Sequence, residues 1–295
     1  KCKSFKLLLP MNIKTICEHI ALAALVFVGD SCEKQFVEST NEGGDVVVDN
    51  KDDNGNKLPT LNVKFNVLGV ESAQNGTASL KSKCKRLSFS VFDAGGERLN
   101  YRTITQLSSD KDFGKVSLAI PKGKYSFVFV SENGNAAPTI SEPNTVTFKK
   151  NKLTDTYCYY GELDIKGKAS HDITLKHCIA KLRVTLNDVT PQEIDTLSFY
   201  YIGGSSTLDP TTGYGKVSSR QTESHAVERL AYRGKSTYEL YTFPHADARK
   251  LKLRITAKSG EQMLYTRAID DIAVESDDVT DCSLNFFGEN PEVGR

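Results

Sequence analysis

From residue 58 onward the chain is patterned with a period of two. Leu61, Val63, Phe65 and Val67 alternate with Asn62, Lys64 and Asn66, the signature of a strand with one buried face. Gly69 is expected to close that strand, and residues 71–79 to form a polar loop. Arg86–Phe92 places Leu87, Phe89 and Val91 on one face and Ser88 and Ser90 on the other. Asp93–Gly96 supplies a turn whose paired glycines tolerate positive φ, and residues 99–107 are the expected hairpin partner. Val116–Ile120 alternates up to a turn at Pro121–Lys124. Tyr125–Val130 is nearly all apolar, which predicts a central strand covered on both faces. Val146–Phe148 is a short strand. In Thr156–Tyr160, Tyr157 and Tyr159 share one face while Cys158 and Tyr160 share the other.

A second set follows. Ile173 and Leu175 alternate with Asp172, Thr174 and Lys176. Ile179–Leu186 puts Ala180, Leu182, Val184 and Leu186 on one face. Further strands are expected at 194–202, 238–243, 251–257, 263–265 and 284–287, with Gly203–Gly215 as a structured surface loop. No window between Leu58 and Gly288 carries a long apolar stripe of period 3.6. Short strands separated by Gly, Pro and Asn turns predict an all-β fold of two β-sandwich domains. They are expected at 58–167 and 168–295, with the boundary between Asp164 and Ser170. The halves show no sequence repeat.

The first 57 residues have a different pattern. An apolar run from Ile20 to Val28 leads into Gly29, Asp30, Ser31 and Cys32, with Lys14 between Met11 and the run. A short basic start, a brief apolar core and small residues before a cysteine describe a secretory leader. The core is too short to span a bilayer. Residues 1–31 read as the leader and Cys32 as the site of lipid attachment. Asp30 stands where Gly, Ala or Ser is usual. Lys1–Pro10 reads as lying upstream of a start at Met11, or as a fragment edge. Residues 32–57 are acidic and rich in Gly and Asn, a lipidated tether in which Val46–Val48 can act as an added strand.

Composition narrows the function classes. The net charge of +1 on 295 residues excludes a global field for nucleic acid. Of seven cysteines, Cys84, Cys158, Cys178 and Cys282 follow Cys32. They allow three full pairings, or free buried thiols, and none forms a C-x-x-C pair. The five histidines are His19, His171, His177, His225 and His245. His171 and His177 flank one strand, but two histidines do not make a metal site. The carboxylates between Asp270 and Asp281 lack the spacing of a calcium loop and are expected to solvate a loop. Gly203–Gly215 has neither a phosphate-loop ending nor a dinucleotide fingerprint, and Ser205 and Ser206 lack a nucleophile-elbow context. The expectation is no catalytic residue, no cofactor, no metal, and a protein partner in place of a substrate.

Taken together, RLSFSVFDAGG at 86–96, FGKVSLAIPKGKY at 113–125, LTDTYCYY at 153–160, LKHCIAKLRVTL at 175–186, GGSSTLDPTTGYG at 203–215, YELYTFP at 238–244 and LNFFG at 284–288 form an ordered series. It resembles the fimbrillin-associated anchor lipoproteins of Bacteroidales, the FimB-like family. The resemblance covers residues 61–288 and the leader. It implies two transthyretin-like β-sandwich domains in a structural outer-membrane lipoprotein, lipid-anchored and surface-exposed. Such a protein anchors fimbriae or regulates their length and assembly. The implied partners are fimbrial stalk or accessory subunits, engaged by strand addition at a sheet edge. The alternative is a surface carbohydrate- or protein-binding lipoprotein.

Overall fold

The computed structural model describes residues 46–47, 56–99 and 103–288. The leader, Cys32 and most of the expected tether lie outside them. Twenty strands form the framework of the described residues, joined by turns and loops. They run β1 (Val46–Val47), β2 (Thr60–Ser72), β3 (Gly76–Ala78), β4 (Arg86–Asp93), β5 (Ile104–Leu107), β6 (Lys115–Pro121) and β7 (Gly123–Glu132). Next come β8 (Thr139–Glu142), β9 (Thr145–Thr147), β10 (Thr156–Ile165), β11 (Ala169–His177), β12 (Ala180–Leu186), β13 (Thr196–Ile202) and β14 (Thr207–Asp209). The last are β15 (Tyr214–Gly215), β16 (Arg220–Ala226), β17 (Ser236–Thr242), β18 (Leu251–Ser259), β19 (Gln262–Ile272) and β20 (Val279–Leu284). One short helix, α1 (Leu80–Lys83), precedes β4.

The first sandwich is a single hydrogen-bonded path, β1-β6-β2-β11-β10-β7-β4-β5, with β3 paired to β2. The path folds over at β11 and β10, which share only two residue pairs. Its two halves face each other across an apolar core. Phe65 on β2 meets Phe127 and Phe129 on β7 with ring centroids 4.7 and 5.2 Å apart. Each fully buried phenylalanine contributes about 1.5–3 kcal/mol of transfer free energy. The apolar run at 125–130 is central, as expected, with β7 between β4 and β10.

β2 continues through Gly69 to Ser72, past the expected stop. Its register against β11 jumps from Val67 to Gly69, so Leu68 is the extra residue of a bulge and is 63% exposed. Glycine is needed next because β3 crosses closely: a Cβ on Gly69 would lie 2.3 Å from the Ala78 carbonyl oxygen. The expected polar loop therefore holds a hairpin strand.

The second sandwich packs β17-β12-β20 on β16-β13-β18-β19. Leu182, Val184 and Leu186 of β12 are buried in one core with Leu197, Phe199 and Tyr201 of β13 and Leu253 and Ile255 of β18. The last strand is Val279–Leu284, earlier than the expected 284–287. It pairs in parallel with β12.

The two sandwiches share one topology. In chain order β2, β4, β5, β6, β7, β10 and β11 correspond to β12, β13, β16, β17, β18, β19 and β20. Each first strand pairs antiparallel with the fourth (β2 with β6, β12 with β17). Each also pairs in parallel with the seventh (β2 with β11, β12 with β20). The second, third, fifth and sixth strands form an antiparallel sheet in both. The expected division at 164–170 falls in the turn between β10 and β11. Both of those strands hydrogen-bond within the first sandwich, and the chain changes sandwich only at Cys178 and Ile179.

Insertions in the two sandwiches join them. β8 and β9 leave the first after β7, β14 and β15 leave the second after β13, and together they form a sheet in the order β15-β14-β9-β8. Beneath it, Val130, Ile140, Val146, Cys178, Leu208 and Phe243 belong to one buried cluster. Gly203–Gly215, expected as a surface loop, is this joining hairpin with Leu208 at its core.

Candidate functional site

The equivalent sandwiches differ in how their edges are covered. On the first, β1 lies parallel to β6, with Val46 opposite Leu118 and Val47 opposite Ala119. The matching strand of the second is β17, and among the described residues no strand pairs with its outer edge along 236–240.

The direction of each backbone group on β17 follows from its neighbours. Lys181, opposite Tyr241, sends its N–H away from β17, to the Asp278 carbonyl 3.0 Å away. The Tyr241 carbonyl points outward and accepts the Tyr201 hydroxyl and the Gln221 side-chain amide, both at 3.1 Å. Groups of one direction recur at every second residue of an antiparallel strand. Glu239 and Thr237 therefore also turn their N–H and C=O outward, opposite Arg183 and Thr185.

The two ends of this edge are built differently. Near Tyr241 a polar network ties β16 and β13 to β17. Tyr201 donates to Glu223 at 2.7 Å, and Thr242 donates to the Gln221 side-chain oxygen at 2.8 Å. Burial, then the Glu223 carboxylate, push the Tyr201 hydroxyl far up, so it remains a donor. Further along, β16 and β17 separate around a cleft of about 640 Å³. His225, Leu230, Thr237, Tyr238 and Glu239 are among its lining residues. His225 packs against Phe199 and Tyr238. Its Nε2 is buried, stands 3.7 Å from Glu223, and has no hydrogen-bond partner among the described residues. Leu230 at the mouth is 73% exposed. At the far side of the same sandwich, β19 is also an outer strand, and its Met263 is 69% exposed.

A second group of polar residues sits where the sandwiches meet. His177, at the end of β11, has Nδ1 2.7 Å from Asp277 and Nε2 3.4 Å from Asp155. Lys181 lies 3.6 Å from Asp155 and 3.3 Å from Glu239. Burial alone would raise Asp155, but the His177 hydrogen bond and the Lys181 charge outweigh it and hold the carboxyl below its usual range. The Ala73 N–H donates to Asp277 at 2.5 Å, so this residue of the expected solvating loop is tied into the junction.

Of the residues singled out from the sequence, Cys32 lies outside the described residues. His171 stacks on Phe65, away from His177. Among the described residues no three His, Cys, Asp or Glu side chains gather as metal ligands. Ser205 and Ser206 bond within the joining hairpin and to Ser219. Cys84, Cys158, Cys178 and Cys282 are thiols; burial pushes Cys84 up to about 11. Nothing in the sequence of β17 marks it as an edge strand, although its pattern of buried 238 and 240 with exposed 237 and 239 is readable in TYEL.

A family model described as "Fimbrillin-A associated anchor proteins Mfa1 and Mfa2" matches residues 52–287. Among curated proteins, none matches the chain. An adhesin candidate from Bacteroides ovatus superposes with a TM-score of 0.50 at 14% identity, over 77% of this chain and 88% of that one, a likeness of fold. The fimbrial anchor protein Mfa2 from Porphyromonas gingivalis gives a TM-score of 0.44 at 10% identity, over 72% and 83% of the two chains. A fimbrial assembly protein from Parabacteroides distasonis gives 0.40 at 14% identity, over 76% and 90%.

Proposed function

Because the chain belongs to the family of fimbrillin-A associated anchor proteins, we propose that it is a structural lipoprotein of the outer membrane that holds fimbriae to the cell surface and sets their length. In this reading residues 1–31 direct export, Cys32 carries the lipid, and the polar residues between Cys32 and β1 set the paired sandwiches off from the membrane, since Val46 and Val47 of the expected tether already pair with β6. One acyl chain gives only marginal membrane binding, at about 0.8 kcal/mol per buried CH₂, so stable attachment takes more than one.

The observation that carries the reading is the family match itself, which runs through both sandwiches from 52 to 287. Among the described residues no strand pairs with the outer edge of β17 along 236–240, which supports a protein partner engaged by strand addition, since an unpaired edge offers a row of main-chain donors and acceptors. A glycan-binding surface would call for exposed aromatic platforms; among the described residues the aromatic side chain left exposed is Tyr214. The test is deletion of the gene followed by electron microscopy of the cells. Fimbriae that are shed, elongated or absent are expected. Fimbriae of normal length and attachment would refute the anchor role.

A further inference from the structure

The four cysteines that follow Cys32 allow three full pairings on sequence alone, and the packing brings one pair together. Cys84 lies in the core of the first sandwich, with Leu87, Phe129 and Tyr157. Cys282 packs against the core of the second. Cys158 and Cys178 are both buried in the cluster beneath the joining sheet, with Val130, Leu208 and Phe243. Strand β10 separates them from Cys84. Tyr157 turns into the first core and Cys158 to the opposite face, as successive residues of a strand do.

Register puts the pair side by side. Tyr157 stands opposite His177 and Cys158 opposite Lys176. The Cys178 N–H continues the ladder to the Thr156 carbonyl at 3.1 Å. Cys158 and Cys178 are therefore diagonal neighbours on one face, a spacing at which Cβ atoms lie closer than Cα atoms. The two sulfurs interact: burial first, and then the neighbouring Cys158 sulfur, push the Cys178 thiol up.

Resting on the reading of the chain as an exported protein, we propose that Cys158 and Cys178 form a disulfide in the mature protein, tying the start of β10 to the residue at which the chain passes into the second sandwich. Export compartments hold disulfides that the cytosol does not. One cysteine thiolate attacks the disulfide of a thiol oxidase in that compartment and expels one of its thiolates. The second cysteine thiolate attacks the mixed disulfide and expels the other. Two cysteine thiols are oxidised, the oxidase disulfide is reduced to two thiols, and the cysteine protons go to the leaving thiolates. Both cysteines are buried in the folded chain, so the exchange precedes closure of the junction. Cys84 and Cys282 stay as thiols.

Peptide mapping tests this on the full chain, made with its leader in its own cells and extracted from the cell envelope with free thiols blocked at lysis. Trypsin without reduction is expected to yield residues 153–166 and 177–181 as one species, two hydrogens lighter than the separate peptides, with Cys84 and Cys282 blocked. Reduction is expected to lower the thermal midpoint by at least ~4 °C, the scale of one cross-link in a chain of this size, and Cys178→Ala to abolish that response. Should C178A fail to fold, the mapping decides alone. A link from either cysteine to Cys84 or Cys282 overturns the pairing. Envelope protein with all four thiols blocked before reduction overturns the disulfide and leaves export standing. A chain confined to the cytoplasm with those thiols blocked overturns both.

Discussion

His177 holds Asp277 across the junction of the two sandwiches, with Nδ1 2.7 Å from the carboxylate oxygen. One residue ends the last strand of the first sandwich, and the other precedes the last strand of the second. Asp277 has a positive φ of 61°, a conformation that Asp adopts more readily than most residues. The turn thereby aims one carboxylate at His177 and at the Ala73 N–H.

Replacing Asp277 by Ala is expected to destabilise the protein by about 1–3 kcal/mol, because a half-buried histidine and a main-chain N–H lose their acceptor. Urea unfolding followed by tyrosine fluorescence measures it. A change within error would show that solvent replaces these bonds without loss.

The junction also sets an acid limit. The folded pKa of Asp155 lies below its ordinary value of 3.8. Its contribution is therefore fully present above that value and is lost as pH falls through the lower folded one. Stability measured from pH 6 downward is expected to fall more steeply at the acid end for the natural chain than for Asp155→Asn. Parallel curves for the two proteins would exclude Asp155 as the source.

Leu208 is fully buried in the cluster that the joining hairpin shares with the first sandwich. Leu208→Ala is expected to cost about 2–5 kcal/mol. It should also open the connection at Cys178 and Ile179 to limited proteolysis, releasing fragments that divide there. Cleavage confined to 164–170 in both proteins would place the domain boundary in the β10–β11 turn instead.

Gly204 lies against Thr242, where an added Cβ would meet the hydroxyl oxygen at 2.0 Å and the Cβ at 3.0 Å. Thr242 is buried and β-branched, so it has little room to move. Gly204→Ala is expected to destabilise by about 1–3 kcal/mol. Gly234→Ala, with nothing within 4 Å of its Cβ, is the control and should leave the thermal midpoint nearly unchanged.

Acylation at Cys32 is read by mass spectrometry of protein extracted from membranes. The mature chain is expected to begin at Cys32 and carry acyl groups, and Cys32→Ala to move the protein to the soluble or secreted fraction. An unmodified Cys32 in the membrane-extracted protein would end the lipid-anchor proposal.

The local sequence determined the long alternating strands and which face of each is buried, but not the short strands at 76–78, 207–209 and 214–215. Val184 and Leu182 are inward because they alternate with Lys181, Arg183 and Thr185, and a one-residue slip would exchange the faces. The ordered series of such segments was also enough to identify the family. Pairing was decided only in three dimensions. Ala169–His177 has the same alternation whether it begins the second sandwich or ends the first; hydrogen bonds to β2, about a hundred residues earlier, put it in the first. Gly203–Gly215 becomes a hairpin because β9 offers it an edge. Asp277 becomes a junction residue because β11 ends beside it. The bare edge of β17 is legible only against β6, since an alternating pattern says which way side chains point and nothing about whether the main chain beside them has a partner.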